Sequence, residues 1–322
     1  MSENILLIIL VLGLTTYTVL GGADFGAGFW DLTTRGKHAD AERRLIANSI
    51  GPVWEANHVW LIFVIVTLFS GFPEAFGLIS TSLEVPLFLT LLGIVLRGAG
   101  YVYRAYGDGA AGPGHWWGHV FAVASIVTPF MLGASGASLA SGRLSTWAPL
   151  TQPLPLLAGI LAVAATAFLA AVYLCHDAAD APGAERFRMR ALSAAIVAGA
   201  VSLALLPLLQ RDAPIVWDRF TQRGWPFVAG SVAAGVATLV LLWHRRYVPA
   251  RISAAGTVGF VLWGWAAALY PDVAAGRLSA SAAAAPAANQ QALAIVLVAG
   301  LALLAPAVVL LLRVFSRDPE PM

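Results

Sequence analysis

The chain has 322 residues, of which 59% are hydrophobic and only 11% charged, with a net charge of +2 and a mean hydropathy of +0.79. An ordinary soluble domain carries about 25% charged residues, so this composition excludes a soluble enzyme, gives no basis for a nucleic-acid partner, and describes an integral membrane protein. The single cysteine, Cys175, excludes an intrachain disulfide and any multi-cysteine zinc or iron–sulfur site.

Taken in order, the chain opens on an apolar run preceded by Glu3, with no basic leader and no small-residue cleavage site, which reads as a retained first helix rather than a signal peptide. Runs long enough to cross a hydrocarbon layer of about 30 Å fall near residues 4–24, 50–70, 76–100, 117–140, 153–175, 190–209, 226–244, 252–270 and 291–313. In lipid each backbone amide must be satisfied within its own segment, so these runs are expected to be helices. The expected fold is all-α: a single polytopic membrane domain over 1–322, with about nine transmembrane helices arranged as two four-helix bundles plus one peripheral helix. The tripeptide AER recurs at Ala41–Arg43 and Ala184–Arg186, after helices that end near Asp24 and Asp177. That recurrence suggests a pseudo-repeat of 1–142 and 150–270, with 290–316 peripheral. The longest connection, 271–290, is an Ala/Ser-rich stretch too short to form a soluble domain.

Basic residues orient the chain. Thirteen of the nineteen Lys and Arg fall in alternate connections and the C-terminal tail, five on the opposite side, and Arg97 lies within an apolar run. The positive-inside rule then puts the N-terminus outside and the C-terminus in the cytoplasm.

Chemistry concentrates in the stretch Asn48–Leu61, NSIGPVWEANHVWL. If the second helix starts near residue 48, Glu55 lies about 10 Å inside it at 1.5 Å per residue, where a lone carboxylate needs a partner or a function. Asp24 near the inner end of the first helix and Arg97 near that of the third fall at a similar depth. Together they form either an acid–base cluster that moves protons inward or an ion pair that locks helices together. His58 shares a helix face with Glu55 and Trp54, while Asn57 and Trp60 lie three apart on a neighbouring face. His58 fits a proton relay or a hydrogen-bonded partner. Trp54 and Trp60 fit the wall of a path for a small apolar molecule, or simple packing. Gly21, Gly22, Gly26 and Gly28, around Asp24, fit close helix packing in lipid. Glu84, two residues before Pro86, is expected in a broken turn facing water, and His115, His119, His176 and His244 are expected as helix-end anchors; no metal site is expected.

The ordered blocks GGADFGAGFWDL (Gly21–Leu32) with ERR at Glu42–Arg44, NSIGPVWEANHVWL and LRGAGYVYR (Leu96–Arg104) resemble subunit II of cytochrome bd-type quinol oxidases. The resemblance implies a subunit of a terminal oxidase in a bacterial cell membrane, paired with a haem-bearing subunit I that carries b- and d-type haems and oxidises quinol to reduce O2 to water. It implies that this chain ligates no haem and is not catalytic alone, that Glu55 belongs to a proton path, that Trp60 lies near an oxygen path, and that Asp24 and Arg97 are structurally important; helix spacing adds His58 to Glu55, Trp54 to Trp60 and Asn57 to the Asp24–Arg97 pair. It leaves room for a bound quinone, lipids and small single-helix subunits. The chain departs from the family pattern at Val102, where many members have an acid, and at His58, more often Gln or Glu. The competing reading is a secondary transporter built on an intramembrane acid–base site.

Overall fold

The computed structural model describes residues 2–50, 54–106, 114–178 and 183–315, and leaves the side chains of 2, 50, 54–56, 105, 106, 114, 115 and several beyond 303 outside that description. In chain order the elements are α1 (Ser2–Thr33), α2 (Ala39–Ile50), α3 (Trp54–Gly71), α4 (Pro73–Ser82), α5 (Glu84–Tyr106), α6 (Gly114–Ser141), α7 (Ala148–Thr151), α8 (Pro153–Asp177), α9 (Ala184–Asp212) and α10 (Pro214–Arg219). A five-residue π-helix (Phe220–Gly224) follows, then α11 (Trp225–Trp243), α12 (Tyr247–Leu269), the strands β1 (Asp272–Ala274) and β2 (Leu278–Ser279), α13 (Ala280–Ala283) and α14 (Ala287–Phe315).

Among the described residues seven spans are long and apolar enough to cross a membrane, one of them α10, the π-helix and α11 together, or eight if α3 and α4, bent by 115° at their junction, count as one. Helix α14 occupies the ninth expected run. Large apolar side chains such as Phe88, Val95, Ile196, Leu203, Val232 and Ile295 are exposed around the outside of the bundle, as hydrocarbon requires.

Two boundaries differ from the hydropathy expectation, each for a physical reason. Helix α1 continues nine residues past 24, straight through the glycine-rich motif. Two of its glycines face neighbours that leave no room for a side chain: a Cβ at Gly26 would lie 1.9 Å from the Thr166 carbonyl oxygen of α8, and one at Gly28 would lie 2.4 Å from Ser125 of α6. Close packing in lipid offsets the usual entropic cost of helical glycine. For the second run, α2 is described to Ile50 and α3 from Trp54, with Glu55 its second described residue; residues 51–53 lie outside the described residues, and with them the expected start of that helix. The third run starts later than expected because 76–82 belongs to α4, which turns away after Pro73.

The 271–290 connection is also structured. Its two-stranded antiparallel hairpin is held to the bundle end by Ala275 N–H donating to Leu139 O (2.9 Å) and Ala285 N–H donating to Gly71 O (2.9 Å).

Helix α1 is the hub, packing against α8, α3, α6, α12 and α14. Around it the contacts come in corresponding sets: α5 on α6 and α11 on α12, α1 on α3 and α8 on α9, α6 on α8 and α12 on α1. The largest core cluster joins α1, α8 and α9 through Trp30, Phe168, Val172 and Phe187.

Candidate functional site: a ladder of buried ion pairs

Asp24 and Arg97 meet in the interior. They are 4% and 3% exposed, and Arg97 Nη2 donates to Asp24 Oδ1. Asn57 of α3, 3% exposed, donates from Nδ2 to the other Asp24 oxygen at 3.3 Å. Arg97 Nε donates to Ser125 Oγ of α6 at 3.1 Å, and Ser125 in turn donates to the Phe121 carbonyl at 2.7 Å. The guanidinium lies 4.9 Å from the centroid of Phe25 and 5.2 Å from that of Phe121, within cation–π range. Four helices, α1, α3, α5 and α6, are thus tied through one ion pair. Each charge has partners, which is the condition under which burying it is tolerable.

A second rung repeats the first. Asp31 follows Asp24 by seven residues and Arg104 follows Arg97 by seven, so both pairs sit on the same helix faces, about 10 Å apart at 1.5 Å per residue. Arg104 grips both Asp31 oxygens, at 2.8 and 3.1 Å. Arg43 of α2 approaches the same carboxylate at 4.0 Å. This rung opens onto a polar cleft of about 110 Å³ lined by Asp31, Arg43, Arg104 and His119.

Glu42 on α2, 3% exposed, makes the third charged junction. It takes hydrogen bonds from Arg186, from Arg190 Nη2 at 2.7 Å and from Thr34 Oγ1 at 3.3 Å, tying the amphipathic α2 to α9. Burial pushes the Glu42 carboxyl up, but the hydrogen bonds and positive charge of Arg186 and Arg190 outweigh it and hold the group below the usual glutamate range. A depressed folded value means that the stabilisation is complete above the unfolded value, about 4.3, and is lost as pH falls through the lower folded value. Between pH 7 and 3 the parent's thermal midpoint is therefore expected to fall more steeply than that of Glu42→Gln. Parallel curves for the two proteins would contradict the junction.

The expected residues divide clearly. Asp24, Asn57 and Arg97 are brought together. His58 is half-buried and lies within electrostatic reach of Asp24. Trp60 is 9% exposed, packs in one cluster with Tyr17 and Phe25, and meets Phe63 edge-on at 6.1 Å. The side chains of Trp54 and Glu55 lie outside the described residues, as does that of His115. Glu84 is exposed in the first turn of α5 and accepts from Thr146 Oγ1 at 3.4 Å. Among the described residues no group of three or more His, Cys, Asp or Glu could hold a metal ion.

Asp31, Arg104, Ser125, Glu42, Arg186 and Arg190 were not singled out from the sequence, although signals existed. The seven-residue spacing of the acids on α1 equals that of the arginines on α5, and Glu42 and Arg186 each sit in one of the two AER tripeptides.

A family model described as cytochrome bd terminal oxidase subunit II matches residues 2–315. The chain is similar to the cytochrome bd ubiquinol oxidase subunit 2 of Bacillus subtilis (strain 168), 33% identical over 127 residues that cover 38% of this chain and 36% of that relative. It is also similar to the cytochrome bd-I ubiquinol oxidase subunit 2 of Escherichia coli (strain K12), 31% identical over 171 residues that cover 49% of this chain and 44% of that one. The matched stretches thus span less than half the length of these curated relatives. A chain of the bd oxidase structure from Geobacillus thermodenitrificans matches the fold with a TM-score of 0.85 and 25% identity, covering 98% of both chains.

Proposed function

We propose, because the chain belongs to the cytochrome bd terminal oxidase subunit II family, that it is the second subunit of a quinol:oxygen oxidoreductase complex in a bacterial cell membrane. Its partner is a haem-bearing subunit I, and the complex oxidises quinol and reduces O2 to water. The haems supply the redox chemistry and are assigned to the partner. No axial haem ligand is assigned to this chain.

This chain's own part is to hold and move protons. The buried network of Asp24, Asn57 and Arg97 carries the reading, because it fixes the first turns of α3 against α1 and α5. A structural ion pair alone does not require the adjoining α3 turn to bear Glu55 and His58, two groups able to exchange protons. Glu55 takes up the proton and His58 passes it on, with Asp31, Arg104 and His119 lining the polar cleft at the basic end of the same ladder. Trp60 and Trp54 flank the route of O2, and the termini keep the orientation set by the basic connections, N-terminus outside and C-terminus cytoplasmic. The corresponding helix contacts support two duplicated halves, 1–142 and 150–270, with 290–316 peripheral.

Isolating the complex through a tag on this chain tests the assignment. A haem-bearing membrane subunit is expected to co-purify, and the preparation to consume O2 when given quinol. A chain that purifies alone and haem-free while moving a solute across vesicles overturns it in favour of a transporter.

A further inference from the structure

Among the described residues five buried side-chain atoms have no hydrogen-bond partner, and two of them, Asn57 Oδ1 and Trp60 Nε1, are three residues apart on α3. Buried polar atoms without a protein partner are commonly served by an internal water. Helical side chains lean toward the N-terminus of their helix, so the Trp60 indole covers the turn that carries Asn57, and Cβ atoms at this spacing lie about 5–6 Å apart. The two buried groups are therefore neighbours on one stretch of α3.

The atom types then select the ligand. Nε1–H is only a donor and Oδ1 only an acceptor, so the occupant must accept from one and donate to the other. A metal ion cannot accept, and dioxygen has no proton to donate. Water does both. The Tyr17 ring packs in the same cluster as Trp60, which places a further aromatic hydroxyl in the neighbourhood.

We propose that Asn57 Oδ1 and Trp60 Nε1 hold one buried water molecule beside the Asp24–Arg97 pair. The polar chain Ser125, Arg97, Asp24, Asn57 then extends one turn further along α3, and the indole face read as an oxygen-path wall has a hydrated edge. The site rests on burial and atom type and stands independently of the oxidase reading.

A cryo-EM map of the intact complex at a resolution that shows waters tests it. A density peak is expected within hydrogen-bond distance of both atoms, and it is expected to disappear in Trp60→Phe while the Asp24–Arg97 contact remains. Ultraviolet resonance Raman, read as parent minus Trp60→Phe, is expected to give a hydrogen-bonded indole N–H signature for Trp60. Should the variant fail to assemble, the parent map decides alone. An unbonded N–H signature, no peak, or a protein side chain from either subunit seated on both atoms overturns the proposal. Quinol oxidase activity bears on the oxidase reading and not on this site.

Discussion

Arg97→Ala is expected to leave little assembled complex, because it strands the Asp24 carboxylate in the interior. Removing one member of a buried ion pair costs about 3–5 kcal/mol, a large share of the roughly 5–15 kcal/mol that holds a domain together. More than one contact goes with it: Asp24 loses its charge partner, Ser125 loses the Nε donor, and the Phe25 and Phe121 rings lose the cation between them. Arg97→Lys is expected to rescue only in part, since a single ammonium cannot bond Asp24 and Ser125 while also lying flat between two rings. The sharper comparison is the pair Asp24→Leu with Arg97→Leu. Replacing both charges by hydrocarbon is often nearly neutral, so the double variant is expected to assemble better than Arg97→Ala. Detergent-resistant yield and thermal midpoint measure both. Equal stability of Arg97→Ala and the parent would show that the pair does not hold α1 to α5.

How much of this was legible in the sequence follows from what each residue contrasts with. Asp24, Arg97 and Asn57 stood out because a polar side chain inside an apolar run is costly wherever it ends up, and the cost points to a partner. Asp31 and Arg104 did not, because they fall at the ends of their apolar runs, where charge is ordinary; only the matched spacing of seven marks them as a second rung. Hydropathy found the long helices but misjudged the glycine-rich end of α1. Glycine reads as a helix end until the Thr166 backbone is seen pressed against Gly26. It also ran Asn48–Leu61 together as one helix, whose course through 51–53 lies outside the described residues. Ser125 carries no sequence signal at all: a serine among alanines on α6 becomes meaningful only when Arg97 reaches it.

We propose that this chain delivers protons from the start of α3 to an oxygen-reducing partner. Glu55 is the second residue of α3, two before the asparagine that bonds Asp24, and glutamine keeps its size and hydrogen-bonding capacity while removing the exchangeable proton. Losing a positioned proton donor typically slows a reaction about 10²–10⁴-fold; here the route is shared with His58 and water, so the lower end of that range is expected. The direct measurement is proton uptake during a single reduction of O2 by the intact complex, in the parent and in Glu55→Gln, with haem content and assembly checked to be equal. The account predicts that proton uptake and the step coupled to it slow by about 100-fold while the haem spectrum stays unchanged. Proton uptake at the parent's rate in a fully assembled Glu55→Gln complex would contradict it.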